Sequence, residues 1–385
     1  MAKPKVVFTF TEAGMGHIMP LKNIADSFES KYGDKVECVR SWFFTESNNK
    51  TLIEFEKMLV DQVKQQNKHT SYGKFTTTAM EFFGSKISTE FLMNALVHGA
   101  TKEGINHIDS LGADMIVSTH WATNYYAVKS KNRPLTVMYS PDNFVNPLFR
   151  FECDLVLCPL LPGYEKAKKL KRFNDDNLKL VPFSIRKEAF DVSLDKVENR
   201  KKLGLPLDKF TIILAEGGYG IGKMEKICEI VIEKDLPVVL IPVCGKNEEL
   251  YNKLSNTKVG KNTILHPLSF TNNIFEYIAS SDLFCGKSGA SMIAEPCYFC
   301  VPQVITKHAT HIEQHNAEYY VNYVQSAINE FNPKKVVEFI EKCLQDPTIL
   351  KKMSDNCKKV HSYYGSEKTA DYIYDLLKTK FPELD

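Results

Sequence analysis

A chain of 385 residues, 43% hydrophobic and 25% charged, is long enough for about two globular domains and has the composition of a folded protein. Its 49 Lys and Arg against 47 Asp and Glu leave a net charge of +2, which gives no global pull toward nucleic acid, so any anionic partner has to be held by a local site. No run approaches the roughly 20 apolar residues of a membrane span, and the opening apolar run at 6–10, broken by Thr9, is too short for a secretory signal.

In chain order, residues 6–10 are the first strand candidate. The next helix has Pro20 in its first turn, with Leu21, Ile24, Ala25 and Phe28 on one apolar face. Leu52, Phe55, Leu59 and Val63 form a helical stripe. Phe82, Phe83, Ile87, Phe91, Leu92 and Leu96 form a second apolar segment. Both read first as packing faces, and in a sharper reading as an apolar cleft or membrane-contacting surface. Strands follow at 114–119, 135–139 and 155–158. Residues 166–172 hold five cations in seven, a solvated helix face or a contact for anionic head groups.

A boundary is expected near 182–186, followed by a polar helix at 195–203. Residues 210–215 (FTIILA) then run into a glycine turn, EGGYGIG, and a helix at 224–233. Strands at 237–243, 282–285 and 302–305 complete the pattern. Strands alternating with helices imply parallel sheets covered on both faces. The two strand-turn-helix starts imply two similar α/β domains.

The ten cysteines sit mostly in apolar runs and read as buried free thiols of a reducing compartment. The expected location is therefore cytoplasmic, with the option of resting on the inner face of the cell membrane. Cys297-x-x-Cys300 has no second CxxC to complete a zinc site, so neither a metal nor a cofactor is expected.

Three constellations carry chemistry. Gly14, Met15, Gly16 and His17 form a tight turn after the first strand, and the glycines bring backbone close to a ligand. A dinucleotide fingerprint would place glycine where Met19 stands; Glu37, about 20 residues on, keeps a dehydrogenase reading open. His17 at the mouth of the turn fits a general base, the bland alternative being a histidine that only bonds the turn. Ser288, Gly289, Ala290 and Ser291 follow a strand and open a helix whose N–H groups suit a diphosphate. Glu295, about one turn inside, suits a ribose or merely complements the helix dipole. Glu313 and Gln314, at a further helix start, can share out sugar hydroxyls. Asp142 ends a strand and reads as a turn aspartate, or as a group that orients His17 or binds an acceptor. His120 and Trp121, at the end of the preceding strand, line the acceptor site by position alone.

Together these pieces resemble glycosyltransferase family 28, most closely the monogalactosyldiacylglycerol synthases and processive diacylglycerol glucosyltransferases. The likeness covers most of the chain and is weakest at 45–105. It rests on GMGH at 14–17, VPFSIR at 181–186, RKKLGLPLDKFTIILAEGGYG at 200–220, VLIPVCGKNEEL at 239–250, the run 266–295 and EQHNA at 313–317. The resemblance implies a GT-B fold of two Rossmann-like domains whose parallel sheets face a central cleft. An acceptor domain would span 1–183, with a helix at 366–385 packing back on it, and a nucleotide-sugar domain 184–365. It further implies that Leu268, Ser269 and Phe270 hold uracil, that Ser291 and Met292 line the phosphates, and that Glu295 takes the ribose. Arg186 and the turn Gly217, Gly218, Tyr219, Gly220 would lie near the diphosphate, and Glu313 and Gln314 would contact the donor sugar. His17 would face the reacting centre, with Gly16 on the donor side and Gly14 and Met15 toward the acceptor.

This sequence departs from the family pattern in three places. Met15 interrupts the glycines, Pro296 follows Glu295 and points to a late or bent helix, and Asn316 is one residue nearer the acidic dipeptide than in many relatives. The activity implied is metal-independent transfer of a hexose from a UDP-sugar to a hydroxyl acceptor, most readily a lipid such as diacylglycerol. Domain closure would exclude water. A UDP-sugar epimerase and a non-catalytic nucleotide-sugar-binding subunit fit the same architecture.

Overall fold

The computed structural model describes residues 3–12, 15–68, 75–79, 89–143, 148, 152–216 and 223–384. The chain divides into two compact units, one of residues 1–186, 309–315 and 363–385, the other of 187–308 and 316–362.

In the first unit, continuous apolar runs form central strands because both faces of the sheet are covered. The strands are β1 (Lys5–Phe10), β2 (Glu37–Trp42), β3 (Met115–Ser118), β4 (Leu135–Tyr139), β5 (Leu155–Cys158) and β6 (Leu178–Leu180). They make one parallel sheet in the order β2-β1-β3-β4-β5-β6. Alternate residues of β1 serve opposite cores. Val6, Phe8 and Phe10 pack with Leu21, Ile24 and Phe28, while Val7 packs with Phe43, Phe44, Leu52 and Tyr126. The helix Glu367–Lys378 completes the first of these cores with Ile373, Tyr374 and Leu377. Tyr374 stacks on Tyr32 at 3.8 Å between centroids, and the Tyr32 hydroxyl donates to Asp371 at 2.6 Å.

The second unit carries β7 (Phe210–Ala215), β8 (Val238–Gly245), β9 (Ile264–Leu265), β10 (Leu268–Ser269), β11 (Leu283–Lys287), β12 (Gln303–Lys307) and β13 (Ala327–Asn329). Their order is β10-β8-β7-β11-β12-β13, with β9 beside β8, and every pairing is parallel. Asp195 caps the helix Lys196–Leu203, and Gly204, at φ +66°, ends it in the left-handed conformation.

Two helix starts differ from expectation. The first helix runs Met15–Tyr32, so Pro20 lies inside it and not in its first turn. The opening turn is braced from outside, because the Thr119 hydroxyl donates to the His17 carbonyl at 3.0 Å. The helix Ala290–Tyr298 starts without delay, and Pro296 sits near its end, where little helix remains to be disrupted. All ten cysteines are free and eight are buried. Among the described residues, no helix is long and apolar enough to cross a membrane.

Asp282 ties the second unit together. One carboxylate oxygen accepts from the buried Arg200 at 2.6 Å and from the Thr211 N–H at 2.8 Å, and the other accepts from Lys196 at 2.6 Å. Removing it leaves a guanidinium that is only 6% exposed without a carboxylate, its remaining bonds being to the Ser280 and Leu207 carbonyls. Asp282→Ala is predicted to lower unfolding free energy by about 3 kcal/mol. Urea unfolding checks this, and a loss within error of zero would contradict it.

Candidate functional site

In a parallel sheet the chain leaves the carboxyl edge on opposite sides of a strand whose neighbours follow it in opposite directions, and a crevice opens there. The first unit has this switch between β1 and β3, the second between β7 and β11. Gly16, His17, His120 and Trp121 follow β1 and β3 at the first switch, Asp142 follows β4, and residues 288–295 follow β11 at the second.

At the first switch, His17 lies half-buried in the opening turn of Met15–Tyr32. Its Nδ1 is 2.9 Å from the Thr119 carbonyl oxygen. A carbonyl only accepts, so Nδ1 carries the hydrogen and Nε2 keeps the lone pair of the neutral ring. His17 Nδ1 is thus engaged by backbone, and Asp142 stands half-buried just past β4. Next in the chain, His120 caps the helix Trp121–Lys129 by accepting from the Ala122 N–H at 3.3 Å. Burial, reinforced by the neighbouring His17, pushes the His120 pKa down to about 3. Trp121 stacks on His120 at 5.0 Å. A Cβ placed on Gly16 would meet nothing within 4 Å, so packing does not demand glycine there. Gly14 and the Met15 side chain lie outside the described residues.

The hydroxyls of Thr11 and Ser140, beyond the ends of β1 and β4, are buried with no hydrogen-bond partner. Such groups are costly in a folded interior and are commonest where a ligand or water completes them. Glu56 frames the same edge from the helix Lys50–Lys68, accepting from the Glu12 N–H at 2.8 Å and the Thr45 hydroxyl at 3.0 Å. Desolvation holds its carboxyl above the usual range.

The segment 181–186 is stapled to the first unit. Ser184 N–H donates to the Tyr139 hydroxyl at 3.0 Å, its hydroxyl donates to the Pro20 carbonyl at 3.1 Å, and Asn23 donates to the Ile185 carbonyl at 2.5 Å. Arg186 follows, half-buried. Residues 309–315 group with the same unit, held by His311 N–H to the Thr77 hydroxyl at 3.0 Å and Asn143 to the His315 carbonyl at 2.9 Å. Glu313 accepts from the Ala309 N–H at 2.7 Å, while its own N–H donates to the Thr310 hydroxyl at 3.1 Å. Thr310 thus caps the helix, and one Glu313 oxygen is occupied by the residue before the cap. Gln314 is half-buried beside it.

At the second switch, β11 passes so close to β7 that a Cβ on Gly286 would lie 2.3 Å from the Ala215 carbonyl oxygen. Ser288 is fully buried, and its hydroxyl pairs with His308 Nδ1 at 2.6 Å. Gly289 caps the helix Ala290–Tyr298 without a side-chain bond. The first intrahelical donor is the Ile293 N–H, to Gly289 at 3.1 Å, so the N–H groups of Ala290, Ser291 and Met292 have no acceptor within the helix. The Ser291 hydroxyl is buried and unpartnered, and Glu295, deeper in the helix, is 5% exposed. Residues 217–222, and with them the turn Gly217, Gly218, Tyr219 and Gly220, lie outside the described residues. Glu216 brackets that turn: its carboxylate accepts from the Met224 N–H and the Thr306 hydroxyl, both at 2.9 Å. On the flank of the sheet, Leu268 pairs with Val243 and is buried, Ser269 is exposed, and Phe270 is 68% exposed.

Thr119, Glu56, Glu216, Thr306 and His308 escaped the sequence reading. Glu56 had a signal, a charge one position from Phe55 on an otherwise apolar stripe.

Residues 225–368 match the glycosyltransferase family 28 C-terminal domain. A processive diacylglycerol beta-glucosyltransferase of Staphylococcus epidermidis is 26% identical over 191 residues, 49% of this chain and 48% of that protein. The chain thus matches about half the length of such relatives. The chloroplastic monogalactosyldiacylglycerol synthase 3 of Arabidopsis thaliana is 21% identical over 391 residues, 97% of this chain and 80% of that one. Among solved structures, MurG of Acinetobacter baumannii aligns with a TM-score of 0.62 over 97% of this chain and 100% of that one, at 12% identity. The fold is GT-B.

Glu56 gives a pH signature. Its folded pKa is raised, so the unfolded chain, near the ordinary value of about 4.3, ionises first as pH climbs. The Glu56 contribution to stability is therefore complete below that value and is lost as pH rises through the folded one. Glu56→Gln should gain stability relative to the wild type between pH 4 and pH 8. Urea midpoints at the two pH values measure this, and a pH-independent difference would refute it.

Proposed function

We propose that this chain, which carries a glycosyltransferase family 28 C-terminal domain, transfers a hexose from a UDP-sugar to a hydroxyl of a lipid acceptor such as diacylglycerol. The observation that carries the reading is the uncapped start of Ala290–Tyr298 with the unpartnered Ser291 hydroxyl beside it. Free N–H groups at a helix start, with a positive dipole end, suit a diphosphate. In this reading UDP is held mainly by residues of the second unit. Ser291, Met292, the turn 217–220 and Arg186 take the phosphates, Glu295 the ribose, residues 268–270 the uracil, and Glu313 and Gln314 the sugar.

The first unit supplies the acceptor side, with Gly14, Met15, His120, Trp121 and Asp142 around the hydroxyl, while Gly16 is a donor contact. The acceptor O–H gives its proton to His17 Nε2 and its oxygen bonds the anomeric carbon. The bond from that carbon to the diphosphate breaks, and the electron pair leaves with UDP. Charge growing on the leaving group is met by fixed N–H dipoles, which cost no reorganisation as the bond breaks.

The lipid part of the reading draws on exposed apolar side chains in the first unit. The helix Thr89–Val97 buries Met93 and Val97 yet leaves Phe91 64% exposed, and Phe75 is 73% exposed. Phe82, Phe83 and Ile87 lie outside the described residues. Lys166, Lys168, Lys169 and Lys171 are exposed and suit an anionic membrane surface.

Incubation with UDP-glucose, UDP-galactose and UDP-N-acetylglucosamine, each with a lipid extract, tests the reading by mass spectrometry. A hexosyl lipid is expected. Interconversion of the UDP-sugar without acceptor would mark an epimerase instead, and binding without either reaction a non-catalytic subunit. His17→Ala should cut turnover about 100-fold or more with UDP affinity nearly unchanged. Glu295→Ala should weaken UDP binding about tenfold with less effect on turnover at saturation. Near-normal turnover in His17→Ala would remove the base assignment.

A further inference from the structure

His17 and His120 carry their protons on opposite nitrogens. The Thr119 carbonyl fixes the hydrogen of His17 on Nδ1, which leaves Nε2 as an acceptor. The Ala122 N–H occupies His120 Nδ1, which leaves the hydrogen of the neutral ring on Nε2. The two rings are tied to consecutive residues, since Thr119, which holds His17, precedes His120. One edge of the first unit therefore offers a proton acceptor and a proton donor built from the same side chain type.

We propose that His120 is a neutral hydrogen-bond donor to the acceptor substrate, and that with His17 it selects a hydroxyl whose neighbouring carbon bears a second oxygen. The proposal rests on the transferase reading above. A donor aimed at the attacking oxygen would draw off the electron pair that must bond the anomeric carbon. The His120 hydrogen is useful only on an adjacent oxygen, as in a vicinal diol or a hydroxyl beside an ester.

The surroundings of His120 keep it in this role. It is 5% exposed, stacked on Trp121 at 5.0 Å and set edge-on to Phe44 at 6.3 Å. The titratable group acting on it is His17, and burial with that neighbour holds it far below neutrality. A neutral imidazole at a helix N-terminus, donating without surrendering its proton, is a known way to polarise a substrate oxygen. An imidazolium would instead be an acid in competition with the substrate for the base.

Two variants separate this role from the cap. Asn keeps a short acceptor for the Ala122 N–H but loses the distant donor, whereas Gln keeps a distant N–H but caps poorly. Initial rates with UDP-glucose and UDP-galactose would be measured on dioctanoylglycerol, whose hydroxyl neighbours an ester oxygen, and on decanol, which has no second oxygen. His120→Asn should melt near the wild-type temperature, and its preference ratio for the diglyceride over decanol should fall about tenfold. His120→Gln should melt lower and keep most of the preference. An unchanged ratio in His120→Asn overturns the proposal.

Independently of turnover, nitrogen-15 spectra should show His120 as the neutral Nε2–H tautomer from pH 5 to pH 8. A ring that titrates in that range, or that carries its hydrogen on Nδ1, overturns it too. Transfer to neither alcohol by the wild type would instead count against the transferase reading, with the ring state of His120 still read from the spectra.

Discussion

Each unit hangs on a first strand that is paired on both sides by later strands running the same way. This placement forces the chain to leave the carboxyl edge in diverging directions, and it bares backbone N–H groups and short polar side chains at one line of the sheet. The residues with chemical capacity stand there. His17 follows β1 and is held by Thr119, just past β3; Glu216 follows β7; Ser288 follows β11. The interior strands are locked by packing on both faces, so the edge is rigid where it needs to be.

That rigidity has an energetic counterpart. Buried polar groups in a native fold are nearly all paired, yet among the described residues several buried hydroxyls have no hydrogen-bond partner, and three of them, on Thr11, Ser140 and Ser291, lie past the ends of strands. A hydroxyl left unpaired costs roughly 1–3 kcal/mol. Ligand oxygens are the groups suited to relieve it. Behind this line lies a set of fully engaged groups: Glu56 on the Glu12 N–H, Glu216 across the turn it precedes, and His308 on Ser288. They position backbone.

The sequence was legible where burial on both sides makes a strand continuously apolar. Residues 135–139, 155–158 and 210–215 read as strands and are strands with those bounds. The edge strand β2, ECVRSW, is mostly solvated, so its pattern carries charges and no period that announces a strand. The strands β9 and β10, of two residues each, are too short to show any period. His17 and His120 could be picked out as residue types at the ends of strands. Their complementary tautomers could not, because one partner is a carbonyl and the other an amide, groups every residue has. Pro20 read as a helix start because proline favours the first turn. Here a tertiary bond from Thr119 secures an earlier start, which local preference does not register.

The clasp of Tyr374 and Asp371 on Tyr32 bears on the order of assembly. The first unit is closed by a helix encoded some 350 residues after its opening strand. As the nascent chain emerges from the ribosome, the second unit has its sheet in hand while the first still shows the bare face of Phe28 and Leu21. Of the two units, the one begun earlier is finished later, and during that interval its open flank is the surface a chaperone would need to shield.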